Sequence, residues 1–309
     1  MKVVVVGLGI QGRKRLAVAG AEAIGAVDPV AAGAFWTRIE DVPLGDYDAA
    51  LVCTPDEPKV AVLTYLLSHG KHVLVEKPLV AAADTELEAL KALAARTGTA
   101  CYTAYNHRFE PHLAAVKRYL EEDRIGRVYH CRMFYGNGTA RDVRNSPWRD
   151  KGLGVIPDLA SHMLDLVLFW FGRPAGAPQV WTVQKHENAA FDYFLMGFPD
   201  SLPVVKLEGT LLSWRNTFGL DLIGERGSLH VTGLCKWGPT SLVLRDRVLP
   251  SGKPAEDVVT LEQQDPTWVL EYDYFRDLCR RGGSNIDNDI WINGVLNGLG
   301  RMLGVEMLG

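Results

Sequence analysis

Gly7-Leu8-Gly9-Ile10-Gln11-Gly12 follows directly on the run Val3-Val4-Val5-Val6 and opens a stretch with helical character over residues 11–19. Four consecutive valines without a polar break describe a strand covered on both faces, as in a parallel sheet. A G-x-G-x-x-G turn alone is weak, since the chain holds 31 glycines. Its place between a strand and a helix is what constrains the fold. The glycines permit a tight turn and a close approach of a pyrophosphate to the helix N-terminus, whose free N–H groups favour an anion. Asp28 ends the next apolar run, 21 residues after Gly7. That spacing places a carboxylate where it accepts hydrogen bonds from an adenosine ribose and repels a 2′-phosphate. The expected cofactor is therefore NAD in preference to NADP, and Arg38 is the one residue of the following link that could reverse this by folding back.

The alternation continues. Residues 23–27, 49–54, 72–75 and 100–104 read as further strands, with helices over 58–68 and 84–96; the link over 28–48 is poor in helix signal and looks abbreviated. Strands separated by helices of this length imply βαβ units in a doubly wound sheet. A helix over 110–122 closes this part. Beyond it, strand-like runs follow one another at 128–135, 180–187, 191–198, 204–211, 219–223 and 228–231, and helices are expected at 157–171, 266–280 and 288–303. Strands in succession indicate an antiparallel sheet with helices on one face. The fold class expected is thus α/β: an N-terminal Rossmann doubly wound parallel sheet over 1–120, and a C-terminal α+β domain with a largely antiparallel, open-faced sheet over 121–309. Two domains also suit a length of 309 residues. Segments such as Phe194-Leu195-Met196-Gly197-Phe198 read as near-continuous apolar runs. A sheet face of that kind needs cover, so a homodimer or homotetramer paired through it is expected.

Composition removes other classes. Net charge is −4, which offers no basic field for a nucleic acid or an anionic membrane surface. The longest stretches free of Asp, Glu, Lys and Arg run 11 residues, well short of the roughly 20 apolar residues a bilayer-spanning helix needs. The valine run is too short for a signal peptide. The five cysteines are single and widely spaced, which suits neither a disulfide framework nor a zinc site and points to a reducing cytoplasm. No metal is expected.

Three places carry chemistry. Glu76-Lys77-Pro78 stands at the carboxyl end of the fourth strand, the edge where open α/β sheets bind ligands, and proline confines Lys77 to an extended backbone. Asp158, His162 and Asp165 recur at spacings of four and three along an otherwise apolar helix, so they share a face. A polar stripe there needs partners or a cavity, and histidine is the usual proton carrier near neutral pH; a purely structural His162 is the alternative. Asn106-His107-Arg108-Phe109 follows the fifth strand, where Arg108 or His107 can reach a ligand or serve as a linker. Trp148, in the polar stretch 145–149, is the indole expected to be exposed.

Together these residues resemble the glucose–fructose oxidoreductase / inositol dehydrogenase (Gfo/Idh/MocA-type) family. The resemblance rests on 7–12, Asp28-Pro29, Thr54-Pro55, Glu76-Lys77-Pro78, Asn106-His107-Arg108-Phe109, 152–165 and the turn over 222–229, and it covers most of the chain. It implies NAD(P)-dependent hydride transfer at a hydroxyl or keto carbon of a sugar, nucleotide sugar or inositol-like polyol. Lys77, Asp158 and His162 carry over as the catalytic group; Arg108 and Trp148, read from their own segments, are the further substrate-binding candidates. Gly7, Gly9, Ile10, Gln11, Gly12, Asp28, Thr54, Pro55, Glu76, Lys77 and Asn106 carry over for the cofactor. Lys59 stands where the family usually has a histidine, and Leu153 and Ala160 where glycines are common. The rival from another class is a catalytically silent dinucleotide-binding sensor, which has no need of Lys77, Asp158 and His162 together.

Overall fold

Strand β1 (Val3–Val6) is the buried centre the valine run predicts, with exposures of 0–5%. The computed structural model describes residues 1–146 and 149–307 and divides them into two units. The first holds β1, α1 (Ile10–Ala19), β2 (Ala23–Val27), β3 (Ala49–Val52), α2 (Lys59–Ser68), β4 (His72–Glu76), α3 (Asp84–Thr97) and β5 (Cys101–Ala104). Its strands run in the order β2-β1-β3-β4-β5, every pair parallel. The link after β2 has no α-helix: a short 3₁₀ turn, Ile39–Asp41, replaces it, and Phe35 and Trp36 donate backbone bonds to the Ala26 carbonyl.

The second unit holds α4 (Pro111–Glu121), β6 (Val128–Gly136), α5 (Ala140–Arg144), a wide π turn (Ile156–Ala160) running into α6 (Ser161–Phe171), and strands β7 (Gln179–Gln184), β8 (Tyr193–Phe198), β9 (Val204–Thr210), β10 (Thr217–Gly224), β11 (Gly227–Thr232), β12 (Thr240–Asp246) and β13 (Glu256–Leu261). The sheet order is β13-β12-β11-β10-β6-β9-β8-β7, antiparallel except that β6 and β9 run parallel. Burial alternates along the strands. Cys131, Met133 and Tyr135, Phe218, Leu220 and Leu222, and Leu229 and Val231 are buried on one face. Residues between them, such as Arg132, Phe134, Lys206, Glu208, Asp221 and His230, are exposed or half-buried. The expected continuous apolar runs are therefore one face of an alternating pattern; only β8 approaches a run. Strands β12 and β13 were not expected, because Arg245, Asp246 and Arg247 interrupt the apolar pattern and β13 is an exposed edge.

The division differs from the boundary expected at residue 120. The first unit is Met1–Asn106 with Thr267–Gly294, and the second is His107–Pro266 with Val295–Met307. Helix α4 therefore belongs to the second unit, where Trp170 Nε1 donates to the Leu113 carbonyl. The chain also returns to the parallel sheet. Helix α7 (Thr267–Arg281) and the first half of α8 (Ile286–Leu303) pack in the first unit. Polar latches explain the return. Fully buried Asp289 accepts from Thr103 Oγ1 at 2.8 Å and Tyr105 Oη at 3.1 Å, and Asn293 Oδ1 accepts from the Ala81 amide at 2.9 Å. Such bonds depend on pairs 184 to 212 residues apart, which periodicity cannot reveal.

Thr103→Val removes one donor to the Asp289 carboxylate at constant shape. A hydrogen bond to a charged group is worth about 1.5–3 kcal/mol, so urea unfolding should show a loss of that size. An unchanged midpoint would mean the latch adds nothing to stability.

Candidate functional site

In the first unit the glycine turn has the shape an anion needs. Gly7 has φ +91°, and a Cβ there would lie 2.8 Å from the Cys53 carbonyl. A Cβ on Gly12 would lie 1.9 Å from the Gly7 oxygen, whereas a Cβ on Gly9 meets nothing within 4 Å. The first and third glycines thus serve the turn and the helix–strand contact, and the second leaves open space. No side chain caps α1, whose first residues, Ile10 and Gln11, are exposed. Its N-terminal amides therefore point into that space with the helix dipole behind them. The Thr54 hydroxyl, just past β3, is buried and has no partner among the described residues. These features fit a dinucleotide.

Asp28 is more constrained than its spacing implied. Oδ2 accepts from the Leu8 amide at 2.7 Å, and Oδ1 accepts from the Val30 and Ala31 amides at 2.9 and 2.8 Å. The carboxylate therefore ties the glycine turn to the end of β2. Arg13 acts on it electrostatically, a neighbour the sequence reading missed although it directly follows Gly12. Arg38 pairs with Glu40 on the surface at 3.3 Å, and Asn106 Nδ2 donates to Thr267 Oγ1 at 2.9 Å.

Half-buried Lys77 follows the last residue of β4, and the Lys77–Pro78 peptide is cis. Its neighbour Glu76 accepts from Arg15 Nε at 2.7 Å. Arg15 is itself 1% exposed, donates through Nη2 to Glu271 at 2.6 Å, and lies over the Trp268 ring at 4.3 Å. Burial opposes its charge, but Glu271 and Glu76 outweigh burial and raise the guanidinium further above its ordinary value. Read from sequence, Arg15 belongs to the basic run 13–15; nothing local marks it as buried.

In the second unit the expected polar stripe is divided. The π turn places Asp158 before α6 proper, and widening at that point shifts its direction. The Asp158 side chain is 38% exposed and lies 3.9 Å from Arg149, whereas Asp165 is 1% exposed. Asp165 accepts both Arg108 Nε at 2.7 Å and Nη2 at 2.6 Å. Arg108 is thus committed to a bidentate pair with α6. His162, 7% exposed, stacks on His107 with ring centroids 4.0 Å apart. Tyr135 lies 5.5 Å from the His107 ring and 6.2 Å from His162, with Phe218 and Trp237 packed edge-on against it. Lys236 Nζ donates to the Tyr135 hydroxyl at 3.2 Å. Burial, aided by the Asp158 charge, pushes the Tyr135 phenol up, so it stays protonated near neutral pH. Tyr135, Lys236 and Trp237 escaped the sequence reading, because a strand end and a turn give no signal for them. Trp148 lies outside the described residues.

Comparison with known proteins adds family information to this geometry. A family model described as "Oxidoreductase family, NAD-binding Rossmann fold" matches residues 1–105, and one described as "GFO/IDH/MocA C-terminal domain" matches residues 113–230. Levoglucosan dehydrogenase of Pseudarthrobacter phenanthrenivorans is 30% identical over 144 residues, 45% of this chain and 36% of that protein. Inositol 2-dehydrogenase of Rhizobium meliloti is 27% identical over 162 residues, 50% of this chain and 47% of that protein. The chain spans about half, or less, of the length of these curated relatives. Among solved structures, levoglucosan dehydrogenase in complex with NADH superposes with a TM-score of 0.81 at 19% identity, covering 98% of this chain and 97% of that one, a likeness of fold.

The environment of Asp28 has a pH consequence. Burial pushes its carboxyl up, but the three backbone donors and Arg13 outweigh burial and leave it below the usual aspartate range. The folded state therefore favours the ionised form. That stabilisation is present above the unfolded value of about 3.9 and is lost as pH falls through the folded value. Urea midpoints measured downward from about pH 4 should drop more steeply in the wild type than in Asp28→Asn, which cannot ionise. Parallel curves would show that Asp28 ionises alike in the two states.

Proposed function

Because this chain belongs to the Gfo/Idh/MocA oxidoreductase family, we propose that it is an NAD-dependent dehydrogenase acting on a secondary alcohol of a sugar or inositol-like polyol. One observation carries the reading: a complete dinucleotide cradle around Gly7, Gly9, Gly12 and Asp28 occurs in the same chain as Lys77, Asp158 and His162, a set suited to moving one proton. Relatives named levoglucosan dehydrogenase and inositol 2-dehydrogenase support the substrate class.

The glycine turn and α1 would hold the pyrophosphate, and Asp28, ionised at neutral pH, would take the ribose and repel a 2′-phosphate, favouring NAD over NADP. When bound, the nicotinamide supplies the acceptor for the hydride leaving the carbinol carbon. The hydroxyl proton must leave as that C–H bond breaks. In this reading the acid–base role for that proton is assigned to His162, and the role of stabilising developing negative charge to Lys77. Asp158, read from the sequence as the orienting residue, lies ahead of α6 and 3.9 Å from Arg149. His162 is buried and stacks on His107, with the Tyr135 ring 6.2 Å away. Lys77 and His162 could exchange these two tasks without altering the proton balance.

Two further properties belong to this reading. All five cysteines are unpaired thiols, which suits the cytoplasm, and no helix among the described residues is long and apolar enough to cross a membrane. The open face of the eight-stranded sheet mixes partly exposed Phe134, Leu195 and Ile223 with Arg132, Lys206 and Glu208, a composition suited to pairing with a second copy.

Turnover tested on a panel of sugars, inositols and nucleotide sugars should reveal an NAD-dependent substrate. General acid–base groups contribute about 10²–10⁴-fold, so His162→Ala and Lys77→Ala should each lower kcat by that order. NADH fluorescence titrations should remain near wild type and tighter than those with NADPH. Near-normal turnover in both variants would leave these residues structural; no turnover on any member would favour the sensor. Light scattering at micromolar concentration should show a dimer or tetramer, and a monomer would remove the sheet pairing.

A further inference from the structure

Lys77 is flanked on both sides by residues held by buried cations. On one side, Glu76 accepts from Arg15 Nε at 2.7 Å. On the other, the Pro78 carbonyl accepts from Lys59 Nζ, also at 2.7 Å. The two cationic side chains are 1% and 2% exposed. Each is matched by acids: Arg15 by Glu76 and by Glu271 at 2.6 Å, and Lys59 by Asp56 at 2.6 Å. Burying charge is costly even when it is paired, and apolar residues of similar volume often serve stability as well or better. Core packing therefore gives no reason for cations at these two places. Their common feature is that they grip the residues immediately before and after Lys77.

We propose that Arg15 and Lys59 are positioning residues that fix the 76–78 backbone and so set the direction of Lys77. The inference rests on reading Lys77 as a catalytic group. Arg15 reaches Glu76 from α1, and Lys59 is the first residue of α2. Each therefore transmits the rigidity of a helix to the turn. Arg15 also shares α1 with the glycine turn, six residues along or about 9 Å at 1.5 Å per residue. One rigid element thereby carries both the proposed pyrophosphate contact and the support of Lys77. The carboxylates keep the two cations from adding an uncompensated positive field beside the Lys77 ammonium.

The test compares wild type with Lys59→Met, Lys59→Gln and the double variant Arg15→Met/Glu271→Gln, which removes the fully buried carboxylate together with its partner. Lys77 acylation by acetic anhydride is read by mass spectrometry against exposed Lys253 in the same digest. A loosened Lys77 spends more time in solvent, so its labelling relative to Lys253 should rise several-fold in Lys59→Met and in the double variant. It should return toward wild type in Lys59→Gln, which keeps a donor for the Pro78 carbonyl. NADH binding followed by fluorescence should hold in every variant. On a substrate from the panel, misplacement of this kind should cost roughly 10–100-fold, in kcat rather than KM. Should Lys59→Met fail to fold, the double variant decides alone. Labelling ratios equal to wild type in the folded variants would overturn the proposal. The absence of any substrate would remove the dehydrogenase reading while leaving the labelling result to decide whether these cations hold Lys77.

Discussion

A guanidinium sealed between two carboxylates organises the dinucleotide-binding unit. Arg15 leaves α1, meets Glu76 at the end of β4, meets Glu271 on α7 and lies over Trp268. Desolvating three ionised groups is expensive, and the attraction among them compensates only if all are in place. Breaking such a pair by removing one member costs about 3–5 kcal/mol. The triad thus makes the docking of α7, a segment beginning more than 160 residues after β5, conditional on the register of α1 and β4. One buried charge arrangement thereby ties α1, which follows the glycine turn, to the end of β4 and to the returning helix.

The second unit solves a different problem. Helix α6 is apolar enough to be buried on nearly every side, yet it carries His162 and Asp165. Asp165 is satisfied by the Arg108 fork, which leaves no uncompensated charge in the core. Burial raises this carboxyl and the Arg108 charge works against that rise. His162 instead sits among rings, stacked on His107 with Tyr135 beyond. Two residues three positions apart on one helix therefore have different surroundings, one in a bidentate ion pair and one among aromatic rings. The π turn ahead of them moves Asp158 out of their line and toward solvent.

Local patterns carried much of this arrangement. The valine run, the glycine turn and Asp28 specify a parallel βαβ start because each rests on neighbours a few residues apart: two-sided burial, left-handed backbone at Gly7, and an acid at a strand end. Alternating strands and the apolar α6 were readable for the same reason, and so were Lys77 and His162 as candidates. Strands β12 and β13 were not, since an edge strand buries too little apolar surface to leave a period-two signal.

By itself, the sequence determined the two fold classes, the anion-binding turn, the charged residue at the end of β2 and the residue types able to move a proton, because backbone sterics and short-range burial act within a few positions. Tertiary structure alone decided that Arg15 and Lys59 are buried cations beside Lys77, that Arg108 belongs to Asp165, that Tyr135 and His107 surround His162, and that residues 267–294 return to the first sheet. Each of these depends on a contact between groups 19 to 256 residues apart. The worth of such a contact is set by desolvation and geometry at the meeting point, and neither quantity exists until the chain has folded.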